Sequence, residues 1–172
     1  PPMGPFQGMS DMERAMDIHY QQEVDVINPN TEMHYAILSS FQGTLFPHKH
    51  DFFEFFLLLE GTQLLKINEH SLTLKPGSLV LIRPNDVHSR EYLKKGSHIN
   101  IAFSSEIART MFDYLGSSYP TDQLLNSDLP PYVLLSSNEK INVESRMCEL
   151  YAVSTKNAQL QRARVILPST AL

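Results

Sequence analysis

The chain has 172 residues, 42% of them hydrophobic and 19% charged, and a net charge of −5 from 14 basic and 19 acidic side chains. That is enough apolar residue for a packed core, and the acidic balance excludes a domain-wide basic footprint for nucleic acid. One cysteine, Cys148, excludes an internal disulfide and points to a reducing compartment, the cytoplasm, while no apolar run reaches the ~18 residues that span a bilayer.

Residues 1–30 read as an N-terminal lead. Its opening PPMGPFQGMS carries three prolines and two glycines and lacks the basic and apolar regions of a signal peptide. A weak helical pattern covers 11–24. From 31 to 104 the chain changes character. The runs EMHYAILSSF, FEFFLLLEG, TQLLKIN, SLTL, SLVLIRP, HSREYL and SHINIAF are short and apolar or alternating, and turn residues separate them. Such spacing marks an all-β sandwich or barrel.

Helical patterns follow over 105–172. Ser104-Ser105-Glu106 supplies a cap and an acidic first turn, and Gly116 stops the element. A short helix is expected at 122–126, a brief strand at 132–135, and a long helix from Asn138 to about Leu167, with a break near Lys156-Asn157. Met147, Leu150, Tyr151, Ser154 and Ala158 form one stripe on it, suited to a dimer surface or to covering the β unit. Cys148 reads as a buried small hydrophobe. Strands first and helices later argue for segregated α and β layers.

The stretch GTLFPHKHDFFEFFLLLEG, from Gly43 to Gly61, carries the chemistry. On one straight strand His48 and Glu54 would stand about 20 Å apart. A turn at Asp51-Phe52 instead lets Glu54 face His48 and His50, which alternation puts on one side of their strand. Two imidazoles and a carboxylate suit Zn, Mn, Fe or Ni. PNDVH adds His88 just after a second turn.

The pattern GxxxxHxHxxxExxxxxxG, followed by PGSLVLI and His88, resembles the two cupin motifs. It has one residue fewer than usual between Gly43 and His48. Arg83, Asn85 and Tyr92 stand where proline, glycine and asparagine are common. The resemblance implies a cupin barrel, a double-stranded β-helix of jelly-roll type, followed by C-terminal α-helices. It also implies His48, His50, Glu54 and His88 as the positions for one divalent metal ion. PHKHDFFEFFLLLEG, KPGSLVLIRPNDVHS and HINIAFSSEIARTMF further resemble the N-terminal sensing domain of AraC-type transcription regulators, sugar-responsive members in particular, from Met33 to Leu167.

That resemblance implies a small-molecule effector, a sugar or sugar derivative, bound in the barrel. It implies a homodimer through the C-terminal helices, and DNA binding through a helix-turn-helix segment that this chain does not contain. The expected ligand-binding residues are His48, His50, Phe52, Glu54, Phe56, Arg83 and His88. Phe52 and Phe56 share parity with Glu54 and suit stacking on a sugar ring, and Arg83 suits an anionic group. Asp86, His34, Tyr35 and Asn100 are lesser candidates. The His/Glu set suits three roles: metal ligation, ligand contact, or a hydrogen-bonded cluster that fixes the turn. The alternative function is a metal-dependent cupin enzyme, an isomerase or dioxygenase.

Overall fold

The computed structural model describes residues 18–39, 44–116, 120–128 and 130–154. The chain runs β1 (His19–Gln21), α1 (Glu23–Val26), β2 (Met33–Ser39), β3 (Thr44–His50), β4 (Phe53–Ile67), β5 (His70–Leu74), β6 (Ser78–Ile82), β7 (His88–Phe103), α2 (Ser105–Leu115), α3 (Thr121–Asn126), β8 (Tyr132–Leu134) and α4 (Ser137–Ser154). It is a mainly β fold with helices after the strands, as the sequence implies. The strands form one ladder in the order β1-β3-β7-β4-β6-β8, with β2 also on β7 and β5 also on β4. Among the described residues that ladder is open, with β1 and β8 at its ends.

The framework is the antiparallel pair β4 and β7. The sequence suggests two strands in each, because Gly61 reads as a turn and HSREYL and SHINIAF read as separate runs. The structure makes each a single long strand, and the two bend together. Straight, β4 would run about 50 Å. The bend falls where the pairing register shifts, between Leu58 and Gln63. Gly61 has φ +87, and a Cβ on it would lie 2.5 Å from the Lys95 carbonyl oxygen. A Cβ on Gly96 would lie 1.8 Å from that of Glu60. The two backbones cross at this point, so neither position accepts a side chain.

Bending folds the ribbon into two facing layers. One layer holds β2, the 97–103 half of β7, the 53–60 half of β4, β6 and β8. The other holds β1, β3, the remaining halves of β7 and β4, and β5. Alternation then sorts the side chains of the first layer. Phe53, Leu57, Leu81, Ile99, Ile101 and Phe103 pack outward beneath Ile107 and Ala108 of α2 and Met147 of α4. Phe56, Leu58, Val80 and Ile82 face the lumen, where they meet Leu65, Ile67 and Leu74 of the second layer. β4 is apolar on two sides because helices cover one and the lumen takes the other. Each wholly buried Leu or Phe here contributes about 1.5–3 kcal/mol.

The helices follow local signals. Ser104 accepts a hydrogen bond from the Ile107 N–H at 3.1 Å, and Gly116, at φ +68, closes α2. α4 opens on a reciprocal cap: the Ser136 N–H donates to Glu139 Oε2 at 2.7 Å, and the Glu139 N–H donates to Ser136 Oγ at 3.4 Å. The expected helix over 11–24 is not what forms at its end. His19–Gln21 instead pairs with His48, Lys49 and His50 as a parallel strand, and only Glu23–Val26 is helical. The weak apolar stripe there loses to an unpaired sheet edge. Residues 11–17, and the part of the long helix expected beyond Ser154, lie outside the described residues. Cys148 is exposed, not buried; its Sγ lies 3.8 Å from the Tyr35 hydroxyl. Tyr35 in turn stacks on Tyr151, so α4 meets β2 through Tyr35, whose hydroxyl donates to the thiol and whose ring packs on Tyr151.

Candidate functional site

β3 ends at His50, the chain turns at Asp51-Phe52, and Glu54 is the second residue of β4. The turn that the spacing requires is present. His48 pairs in register with His88 at the start of β7. The imidazole centroids lie 4.1 Å apart for His48 and His88, 5.1 Å for His50 and His88, and 6.4 Å for His48 and His50. Phe52 stacks on His50 at 4.0 Å, and Phe56 lies against His98 at 4.7 Å. The three histidines, Phe52 and Glu54 therefore share one end of the lumen, and Phe56 lies further along it toward His98, all buried.

One pattern recurs in all three rings. Nδ1 meets a main-chain carbonyl two residues away: Phe46 at 3.0 Å for His48, Phe52 at 2.8 Å for His50, and Asp86 at 3.1 Å for His88. A carbonyl only accepts, so Nδ1 carries the proton and Nε2 presents a lone pair. The Nε2 atoms of His50 and His88 are buried with no hydrogen-bond partner. Burial keeps the rings neutral. It pushes His50 down to about 4 and His88 down to about 2, and His48 is lowered for the same reason.

Glu54 is buried, and desolvation raises its pKa against the opposing pull of Arg90. Arg90 Nη2 stands 3.6 Å from Glu54 Oε1, too far for a hydrogen bond. Arg90 Nη1 donates to Asn100 Oδ1 at 3.2 Å, and its guanidinium lies 4.8 Å from the Phe56 ring centroid. Arg90 comes from one layer, and Glu54, Phe56 and Asn100 come from the other. Its side chain thus acts as a post between the two halves of the folded ribbon. Tyr92 makes a second post through its hydroxyl, which bonds His98 Nδ1. The sequence motifs do not single out Arg90, Tyr92 and His98 as site residues, although a signal exists. Arg90 and Tyr92 follow His88 at strand spacing in HSREY and must share its face.

Arg83 has a task other than ligand contact. Its Nε and Nη2 donate to Asp86 at 3.0 and 3.2 Å. Its Nη1 donates to the carbonyls of Leu124, Leu125 and Ser127 at 3.4, 3.1 and 2.8 Å. A cation on the carbonyls at the C-terminal end of α3 fastens this helix to the turn before β7. The Arg83 guanidinium is engaged on this fold, and nothing turns it toward the lumen. Tyr35 packs against α4, outside the lumen, and His34 is exposed on β2, where it stands opposite Ala102 on the face that carries Glu54. Asn100 lies in the lumen.

The imidazole tautomers suit metal ligation, since the Nδ1 bonds orient each ring and leave Nε2 basic. The set does not fit a metal centre as it stands. Among the described residues no three His, Cys, Asp or Glu side chains converge in a way that could hold an ion. Glu54, the carboxylate such a centre needs, faces Arg90. The arrangement is acceptor-rich: two buried imidazole lone pairs without a hydrogen-bond partner stand beside a carboxylate whose Oε1 has only the Arg90 ion pair.

A family profile described as the AraC-like ligand binding domain matches residues 33–134, which is 102 of the 172 residues. The chain belongs to the AraC-like ligand binding domain family. Among solved structures, apo ToxT from Vibrio cholerae superposes with a TM-score of 0.58 at 15% identity, over 82% of this chain and 54% of that one. A second crystal form of ToxT gives a TM-score of 0.52 at 15% identity, over 67% of this chain and 46% of that one. The AraC-like domain thus spans about half the length of ToxT, and at this identity the likeness is one of fold. An RmlC-like cupin from Shewanella frigidimarina matches with a TM-score of 0.41 at 16% identity, over 44% of this chain and 68% of that one. No curated protein sequence matches the chain. No described helix is long and apolar enough to cross a membrane.

Proposed function

We propose that this AraC-like domain is the effector-sensing part of a cytoplasmic transcription regulator and that it binds an uncharged, hydroxyl-rich small molecule, a sugar or sugar derivative, in the lumen. The observation that carries the reading is the set of buried acceptors without a hydrogen-bond partner at His50 Nε2 and His88 Nε2, beside Glu54 Oε1, which has only the Arg90 ion pair. Buried polar atoms are rarely left without partners, so a lumen holding several is built for a donor that arrives. Hydroxyl groups supply donors without adding charge. Phe52 and Phe56 offer ring faces for the apolar side of a pyranose. DNA contact falls to a segment outside this chain. A homodimer through α4 has support in the exposure of Ile141 and Tyr151 on that helix.

Binding alters regulation only if the effector prefers one state of the dimer. Isothermal calorimetry with a panel of mono- and disaccharides tests the reading. At least one should bind the unsubstituted chain, and His88→Ala and Glu54→Ala should bind it at least about 10-fold more weakly while retaining the native circular dichroism. If no sugar binds, the effector class is wrong.

A second reading has support from the tautomers. His48, His50, His88 and Glu54 would draw together around one divalent ion, as in a metal-dependent cupin enzyme. Metal content by plasma mass spectrometry separates the two. A stoichiometric ion that is lost in His50→Ala favours the second reading, and an empty protein that binds sugar favours the first.

A further inference from the structure

Gln63 is wholly buried, and neither its Oε1 nor its Nε2 has a hydrogen-bond partner. It stands on β4, directly opposite Tyr92 of β7 on one side and Leu74 of β5 on the other. Leu65 and Ile67, two and four residues on, share its face and fill the lumen. A fully desolvated amide with nothing to bond is costly, and leucine at this position would complete the apolar cluster without that cost. A second unpaired atom belongs to the same neighbourhood. His98 is engaged at Nδ1 by the Tyr92 hydroxyl, and its Nε2 is buried without a partner. Neither group belongs to the histidine cluster at the lumen end.

We propose that Gln63 and His98 form an inner subsite of the effector pocket and that they bind paired hydroxyl groups of the ligand. This rests on the effector-sensing reading above and adds the residues that set specificity. The chemistry of the amide selects the class. It presents an acceptor and a donor side by side, and a pair of hydroxyls satisfies the two at once. A carboxylate cannot donate to Gln63 Oε1, and an ammonium cannot accept from Gln63 Nε2. No free charge invites an ion either. Burial pushes His98 down to about 3, so its ring is neutral, and Arg90 is already held between Glu54 and Asn100. Leu65 and Leu74 beside the amide suit the C–H face of a sugar ring. The subsite would therefore discriminate sugars by the hydroxyls at one end of the ring, while the histidine cluster reads the other end.

The competing explanation is a buried water that ties Gln63 into the fold. Calorimetry and thermal unfolding on the whole chain separate the two, with glucose, galactose, mannose, N-acetylglucosamine and their disaccharides as probes. Gln63→Met keeps length and flexibility and fills the same space, and Gln63→Leu is the second variant. The proposal expects each variant to unfold at the parent's temperature or above it without sugar. It also expects each to bind at least about 10-fold more weakly the sugar that the parent binds, because a site built around a hydroxyl loses that pairing. A deoxy analogue of that sugar should then bind parent and variant alike. Two variants that melt below the parent without sugar show an amide bonded within the fold and overturn the proposal. Unaltered sugar affinity in Gln63→Met overturns it alone. Binding of none of these sugars to the parent overturns it together with the carbohydrate reading.

Discussion

Acidification should unfold this domain through its buried imidazoles, and the size of the effect follows from three of them. His50, His88 and His98 are pushed down to about 4, 2 and 3 by burial, from an ordinary value of 6.5. Each ring binds its proton more readily in the unfolded chain than in the folded one. Stability is therefore complete above 6.5 and is lost as pH falls from there toward the folded values. Between neutrality and pH 5.5 the unfolded state gains about 1.4 kcal/mol from each ring, or ~4 kcal/mol from the three. That is a large share of the roughly 5–15 kcal/mol that holds a domain folded. Glu54 works the other way. Its pKa is raised by burial, so the folded state takes up that proton more readily, which offsets part of the loss once pH falls toward the raised value. Urea unfolding followed by circular dichroism at pH 7.5 and 5.5 measures the difference. The midpoint should fall with little change in slope. His88→Gln should remove about one third of the pH effect. Equal or greater stability at pH 5.5 would refute the argument that these rings are buried neutral.

Other consequences are as direct. Gly96→Ala places a Cβ 1.8 Å from the Glu60 carbonyl oxygen, so it should cost about 3 kcal/mol or more in urea unfolding. Gly116→Ala meets nothing within 4 Å, but φ +68 with ψ −173 is backbone open essentially to glycine alone and should cost about 1–3 kcal/mol. Arg90→Met leaves Glu54 buried without its partner and should cost about 3 kcal/mol. The double variant Arg90→Met with Glu54→Gln should recover much of that in a double-mutant cycle, and a simple sum of the two single losses would remove Arg90 as a post between the layers. Arg83→Ala should loosen α3, read as faster amide exchange over 121–126, while sugar affinity stays unchanged. A loss of affinity instead would return Arg83 to the ligand site.

Much of this protein is local and therefore legible in its residues. Alternation in SLVLIRP and SHINIAF gives strands, Ser104 with Gly116 brackets a helix, and the spacing from His48 to Glu54 demands a turn at Asp51-Phe52. Those signals act over a few residues, where backbone geometry and side-chain periodicity leave few choices. The likeness to the AraC-like family rests on the same short strings.

Tertiary structure decided the rest, because it depends on what the folded ribbon brings together. Gly61 looks like an ordinary turn residue, and Gly96 like a gap between two runs, until the backbones of β4 and β7 cross there. Arg83 and Arg90 look alike in sequence, yet Arg83 fastens a helix outside the lumen and Arg90 joins two layers inside it. Gln63 carries no sequence signal at all. Only the closure of leucines around it turns an ordinary amide into an unpaired one. Composition and pattern determined a β unit followed by helices. The bend in one pair of strands decided which polar side chains lost their water.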